Sequence, residues 1–364
     1  MHTYTYHMPT ALLIGPLAQN AQAFAGYGNR AWIVTGRSSA KNGALAAVTG
    51  VLRGLGIEYQ IFDRIQENPT LQNIDEAAAE GRAFKPDFIV GIGGGSPMDS
   101  AKALSFLAAN PALAAQDLYR AGDYRSLPVL AVPTTAGTGS EATPYAVLTL
   151  AEQHTKMSIV PQLFPEKAFL DASFMDTLPE SSTLSTAVDA LSHLIDGYLT
   201  PKANFMSDSI AEGALLRFGD CLPELSARSF TPALREKLLI LSTLGGLVIS
   251  QTKTSLPHML SYFLTCDHQL PHGFACGVFL YEFMRTHPYQ DKCRRILSLL
   301  GLDGYPALKE TLGRIVDKGR HTYTLAELEQ YAARIVENPQ KMATLHPVLL
   351  SYQEILDIYV NSLL

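Results

Sequence analysis

The sequence predicts an α/β chain of two domains: an N-terminal Rossmann-like, doubly wound parallel sheet over residues 1–178, and an all-α domain over residues 179–364. Three observations carry this. The chain has 364 residues, beyond the roughly 250–300 at which a single core stops growing. In the first half, short apolar runs alternate with helical stretches, the pattern of a parallel sheet covered on both faces. From Leu178 onward apolar residues recur at helical spacing, with almost no β-branched runs.

Residues 31–35, 58–62, 87–92 and 129–132 read as strands, with helices near 40–55, 71–84 and 97–108. Thr3 to Leu13 is rich in strand formers and is expected to pair at a sheet edge. Asn68-Pro69-Thr70 caps the helix that follows, in a polar turn able to touch a ligand. Tyr145–Thr149 and Lys156–Val160 flank a polar turn and read as a hairpin. Pro179-Glu180-Ser181-Ser182 starts the first helix of the second domain. The most apolar run, Leu238–Ile249, falls short of the ~20 residues of a membrane span and reads as a buried core helix.

Composition narrows the partners. A net charge of −6 with no Lys/Arg-dense stretch argues against nucleic acid and anionic membrane as partners. The first residues have no basic and apolar regions of a signal peptide, so none is expected. Cys221, Cys266, Cys276 and Cys293 form no C-x-x-C pair, and the expected compartment is the reducing cytoplasm. Cys266 and Cys276 flank His272 and are read as buried thiols rather than soft ligands.

Two loops follow strands. The first is Gly93-Gly94-Gly95-Ser96-Pro97. Three glycines let a ligand approach the backbone, with Ser96 as N-cap and Pro97 in the first helical position. A helix start of this kind binds phosphate, although the run is not G-x-G-x-x-G. The second runs from Thr134 to Thr143 and offers Thr134, Thr135, Thr138, Ser140 and Thr143 hydroxyls with no basic residue. Loops at successive strand C-termini converge on one crevice in an open α/β sheet.

Asp189 and His193 stand at i and i+4 on one helical face, and His258 and His272 follow later. One carboxylate and three imidazoles suit Fe²⁺, Zn²⁺, Co²⁺ or Ni²⁺. A helical Asp–His hydrogen bond has the same spacing as the first pair, so that pair alone does not decide.

Taken together, Gly93–Lys102, Pro133–Glu141, Asp189–His193 and the His258/His272 pair resemble the iron-containing (group III) alcohol dehydrogenases. That family shares a fold with dehydroquinate synthase and glycerol dehydrogenase. The resemblance runs from about residue 9 to 280 and is loose after about 285. It implies that Asp189, His193, His258 and His272 bind a catalytic Fe²⁺ or, in some members, Zn²⁺. It also implies that the two loops hold a nicotinamide dinucleotide between the domains. Asp99 and Lys156 match family positions near that cofactor, the latter weighed against an exposed hairpin lysine, while Lys102 reads as a solvated helical cation. The implied reaction is hydride transfer between NAD(P)(H) and a small alcohol or aldehyde, by a homodimer. A glycerol dehydrogenase-like enzyme, a phosphonate-aldehyde reductase, a dehydroquinate synthase-like cyclase and a non-catalytic nucleotide binder are the alternatives.

Two departures stand out. Many members carry a further His four residues after the third ligand, and here that position is Tyr262, whose phenol pKa near 10 makes a poor proton relay. After the strand ending at Thr35, where an acidic residue often holds the ribose, this chain has Gly36-Arg37-Ser38. Space, a cation and a hydroxyl there resemble a 2′-phosphate site, so NADP(H) is expected over NAD(H). His268, four residues before His272, is a candidate stand-in for the missing His. His2, His7, His154, His287, His321 and His346 read as surface or capped histidines.

Overall fold

The computed structural model describes residues 4–364 apart from residue 154. His2, His154 and the Thr3 end of the expected edge strand lie outside the described residues. The chain divides into two compact units, Met8–Leu178 and Pro179–Leu364, the second joined by the segment ending at His7. That segment was expected with the sheet. It belongs to the helical unit, where Gln251 Nε2 donates to the His7 carbonyl at 3.1 Å.

The first unit runs β1 (Ala11–Ile14), β2 (Arg30–Thr35), α1 (Ala44–Gly54), β3 (Glu58–Phe62), α2 (Leu71–Phe84), β4 (Phe88–Gly93), α3 (Gly95–Ala109) and β5 (Val129–Pro133). The antiparallel hairpin of β6 (Val147–Leu150) and β7 (Thr155–Ser158) follows, and then β8 (Lys167–Leu170). Six strands form one parallel sheet in the order β1-β8-β5-β4-β2-β3. The period-2 alternation of β2 sorts its side chains to two cores. Trp32 and Val34 pack with Ile74, Ala77, Leu104 and Leu107 from α2 and α3. Ala31 and Ile33 pack with Ala44, Val48 and Leu52 of α1 and with Phe24 and Phe169. Burial on both faces is why these strands read as near-continuous apolar runs. β1 is indeed an edge strand, but its partner β8 escaped the sequence reading, because Lys-Ala-Phe-Leu is too short to show a period.

Strand order turns back between β2 and β4, which makes the carboxyl ends of these strands the topological switch point of the sheet. Thr35 Oγ1 ties the two ends together by donating to the Ile92 carbonyl at 2.7 Å.

The second unit is helical: α4 (Glu180–Leu199), α5 (Phe205–Gly219), α6 (Leu222–Ser226), α7 (Pro232–Thr252), α8 (Leu256–His268) and α9 (His272–Thr286). The tail adds α10 (Gln290–Leu299), α11 (Gly304–Ile315), α12 (Leu325–Val336), α13 (Pro339–Leu345) and α14 (Tyr352–Leu363). α4 is buried almost throughout from Thr183 to Leu199 and packs against α7 and α9. α7 contains the apolar run expected as a core helix, and no helix of the described residues is long and apolar enough to cross a membrane. His287 and His346, expected at the surface or in caps, are 2% and 3% exposed. Burial and each other's proximity hold the His287 pKa down to about 3, and the two rings meet edge to face at 4.9 Å.

Candidate functional site

In the helical unit, α4 projects Asp189, His193 and Asp196 from one face at i, i+4 and i+7. α8 begins after Ser255 with Pro257 in its first turn, the position where a missing N–H costs nothing, and places His258 beside that face. Gln269, with φ 55°, ends α8, and three residues later α9 opens at His272. Gly273 permits the close approach: a Cβ there would lie 1.7 Å from the Ser185 carbonyl oxygen of α4.

Asp189 Oδ1 is the hub. It lies 3.5 Å from His258 Nε2, 3.8 Å from His193 Nε2 and 3.9 Å from His272 Nε2. Burial alone would raise the Asp189 pKa, but the three imidazoles outweigh it and hold the carboxyl well below the usual range. Asp189, His193 and His258 are buried, while the His272 side chain is 30% exposed. Asp189 Oδ1 and His258 Nε2 are buried with no hydrogen-bond partner. Such atoms cost about 1–3 kcal/mol each when left unmatched. A divalent cation would satisfy both, and the oxygen-and-three-nitrogen donor set suits Fe²⁺ or Zn²⁺, so the residues fit a metal.

Asp196, not singled out from the sequence, completes the arrangement. Its Oδ2 sits 2.7 Å from His258 Nδ1 and accepts from the Ser255 N–H at 2.9 Å. A carboxylate on the far nitrogen fixes the ring and turns Nε2 toward the hub. The signal was present as a third acidic or imidazole residue in the i, i+4, i+7 series.

Cys276, one turn after His272, does come near the cluster. Its Sγ is 4.0 Å from His272 Nδ1 and 3.9 Å from Nε2, nearly equal distances that set the sulfur against the ring rather than on the Nε2 lone pair. Burial pushes its pKa up, which keeps it a thiol. His268 does not stand in for the missing family His. It ends α8 and bonds Tyr331 Oη through Nε2 at 2.8 Å. Tyr262 follows His258 by one turn, and burial raises its phenol pKa. The tail lays Lys341 of α13 over its ring, 5.4 Å from the centroid.

In the sheet unit the two loops do converge. A Cβ on Gly94 would come within 3.0 Å of Thr135 Oγ1, and one on Gly95 within 2.8 Å of Thr138 Cγ2. The glycines are therefore required by loop-on-loop contact. α3 starts two residues earlier than expected, with Gly94 as N-cap. Ser96 is inside the first turn, and its Oγ accepts from the Asn68 N–H at 3.1 Å. Pro97 is tolerated there because first-turn N–H groups have no helical partner. Asn68 itself has φ 55°, and its Oδ1 accepts from Lys156 Nζ at 2.8 Å. Lys156 is thus anchored to the polar turn rather than fully solvated.

Lys102 is not a solvated cation but is 1% exposed. Its Nζ donates to the Ser140 and Tyr145 carbonyls at 2.7 Å, to Ser140 Oγ at 2.8 Å and to Thr143 Oγ1 at 3.3 Å. Asp99, expected to face a cofactor, accepts from Ser140 Oγ at 2.5 Å and from the Val147 N–H at 2.8 Å. Both its oxygens are engaged inside the unit. Of the five loop hydroxyls, Ser140 and Thr143 are committed to this clamp, and Thr134, Thr135 and Thr138 remain on the loop's first half. Gly36 follows β2, and Arg37 and Ser38 beyond it are exposed.

Comparison with known proteins points to one family. Residues 9–172 match the family model of iron-containing alcohol dehydrogenases, and residues 183–344 match the C-terminal model of the same family. The family likeness therefore continues well past residue 285, beyond which the sequence alone showed only a loose resemblance. The 1,3-propanediol dehydrogenase of Klebsiella pneumoniae is 32% identical over 314 residues, 82% of this chain and 79% of that protein. The bifunctional aldehyde-alcohol dehydrogenase of Escherichia coli strain K12 is 31% identical over 70% of this chain, but the match spans only 30% of that protein. The crystal structure of an iron-containing alcohol dehydrogenase from Thermotoga maritima superposes with a TM-score of 0.89 at 34% identity, covering 99% of each chain. With both halves matched by the family's models and one carboxylate meeting three imidazoles on buried helices, this chain belongs to the iron-containing alcohol dehydrogenase family.

Proposed function

We propose that the chain is a metal-dependent oxidoreductase that moves a hydride between NAD(P)(H) and a small alcohol or aldehyde. Asp189, His193, His258 and His272 are the proposed ligands of a catalytic Fe²⁺ or Zn²⁺. The observation that carries this reading is the convergence of three imidazoles on an Asp189 oxygen that has no hydrogen-bond partner. When bound, the metal supplies Lewis acidity at the substrate oxygen and the dinucleotide supplies the redox step.

The chain does the positioning. Asp189 offsets part of the metal's charge, and Asp196 keeps His258 in the tautomer that presents Nε2. The exposed flank of His272 is the side from which a substrate oxygen approaches. Tyr262, with its pKa raised by burial, keeps its proton at neutral pH and serves as a hydrogen-bonding wall rather than a base. Gly93, Gly94, Gly95 and Ser96 would offer amides at the start of α3 to the pyrophosphate, with Thr134, Thr135 and Thr138 beside them. Asn68, tied to Ser96, and Lys156, tied to Asn68, would flank the same helix start, and Asp99 acts by holding the loop. A homologous 1,3-propanediol dehydrogenase supports a short alcohol, diol or aldehyde as substrate.

Arg37 and Ser38, in a sequence with Gly36 where an acidic residue would oppose a phosphate, support NADP(H) over NAD(H). Gly36→Asp is a poor probe of this, because a Cβ there would lie 3.1 Å from the Ile65 carbonyl oxygen. Arg37→Ala is cleaner, since the side chain is exposed. The deciding experiment pairs metal analysis of the purified protein with NADPH and NADH turnover on short aldehydes, diols and glycerol. Metal-dependent reduction faster with NADPH supports the reading. Full turnover after the metal is stripped defeats it, and NADH used as well as NADPH defeats the cofactor preference.

A further inference from the structure

Among the described residues, a second set of metal-ligand side chains comes together away from the first: His268, His321 and Glu327. We propose that these three form a second divalent-cation site, suited to Zn²⁺, that fastens the end of α8 to the start of α12. The inference does not depend on what the first cluster does.

The geometry repeats that of the first cluster. There, the His193 and His258 rings stack at 4.7 Å and 18°, with Asp189 Oδ1 at 3.8 and 3.5 Å from their Nε2 atoms. Here, the His268 and His321 rings stack at 3.8 Å and 25°, with Glu327 Oε1 at 3.8 and 3.2 Å from their Nε2 atoms. Donors bound tetrahedrally to one zinc ion through bonds of about 2.0–2.1 Å stand roughly 3.3–3.4 Å apart. Small rotations of these side chains would therefore complete a three-donor shell, with water in the fourth place.

The carboxylate is already oriented. Glu327 Oε2 accepts from the Thr324 N–H and from Thr324 Oγ1, both at 2.8 Å, as the capping box of α12. This directs Oε1 to the imidazoles, as an outer-shell partner does in established metal sites. Tyr323 walls the pocket edge-on to both rings, at 5.1 Å from His268 and 4.7 Å from His321. The Tyr331 hydroxyl, now on His268 Nε2, also reaches the Asp267 carboxylate, a partner it keeps if the nitrogen takes a metal. Side-chain exposures of 12% for His268, 31% for Glu327 and 37% for His321 leave the site open to ions. Burial and the neighbouring His321 lower the His268 pKa, which favours the neutral, ligating imidazole. His268 precedes the turn that leads into His272, so an ion here would brace the frame of the first cluster.

The test compares wild type with His321→Ala and Glu327→Gln by equilibrium dialysis against Zn²⁺, followed by zinc analysis. Gln preserves the capping box while removing the anionic donor, and His321 is exposed, so both variants should fold as wild type does. Each variant should hold one zinc per chain fewer than wild type, or bind that zinc at least about tenfold more weakly. A zinc-dependent rise in melting temperature should be present in wild type and absent in both. Equal zinc content and an equal thermal response in all three proteins would overturn the site.

Discussion

In the sheet unit the buried Lys102 ammonium is surrounded by four hydrogen-bond acceptors, and both oxygens of its neighbour Asp99 are taken. In the helical unit the buried Asp189 Oδ1 and His258 Nε2 have no hydrogen-bond partner at all. Both sites gather charged groups where water is scarce, which is costly unless the groups are paired. The first is satisfied by the protein and holds two loops in register. The second would be satisfied by the cation proposed to bind there. The Lys102 cluster is thus scaffolding, whereas the unpartnered Asp189 and His258 atoms face a common centre, as the proposed metal site requires.

The largest effect expected from this contrast is at the open cluster. Asp189→Asn should remove the metal and lower turnover more than about a thousandfold, as several kcal/mol of charge stabilisation are lost. Metal analysis and a turnover assay check this, and a variant that keeps both would erase the distinction between the two regions. At the closed cluster the effect should be on stability. Lys102→Met removes the cation beside the buried Asp99 and the ammonium donor of the Ser140 and Tyr145 carbonyls, and should cost about 3 kcal/mol in denaturant unfolding.

The sign of the pH dependence sharpens that comparison. Burial holds the Lys102 pKa down to about 8, against 10.5 for an unburied lysine. Between these values the unfolded chain carries more protons than the folded one. The Lys102 contribution to stability is therefore flat below about pH 8 and rises from there to about pH 10.5. The unfolding free energy of wild type relative to Lys102→Met should widen across that window, and a constant difference would show that the ammonium is not buried in solution.

Asp196→Asn should weaken metal binding by about 10–100-fold while leaving turnover recoverable in excess metal, as a titration would show. Loss of activity that excess metal cannot restore would assign Asp196 another role. Arg37→Ala should lower efficiency with NADPH about tenfold and leave NADH unchanged, the 1.4 kcal/mol of one exposed ion contact. The smallest effect belongs to Tyr262→Phe, below about tenfold and with an unaltered pH–rate profile, since general acid–base groups contribute ~10²–10⁴-fold. A larger fall with metal still bound would make the phenol the proton path.

The fold was legible because both-face burial writes strands such as Phe88–Gly93 as unbroken apolar runs, and because caps such as Thr70 mark helix starts. The ligand candidates were legible because imidazole and carboxylate spacing on a helix is a local property. What stayed hidden depends on contacts distant in sequence. Lys102 looked solvated because its acceptors lie 38 to 43 residues away. Asp196 was overlooked because its partner His258 is 62 residues off. His268 seemed one helical turn from His272 until the left-handed Gln269 separated the two helices. Lys341 reaches Tyr262 only because the tail folds back on α8.

The claim that the open cluster is a metal site made by Asp189, His193, His258 and His272 is tested most directly by X-ray absorption at the iron edge. The protein would be loaded with one equivalent of Fe²⁺ without oxygen. A first shell of oxygen and nitrogen alone, with the outer scattering of about three imidazoles that falls by one in His272→Ala, is the predicted result. A sulfur scatterer, which would place Cys276 in the shell, or a spectrum unchanged by His272→Ala, would contradict it.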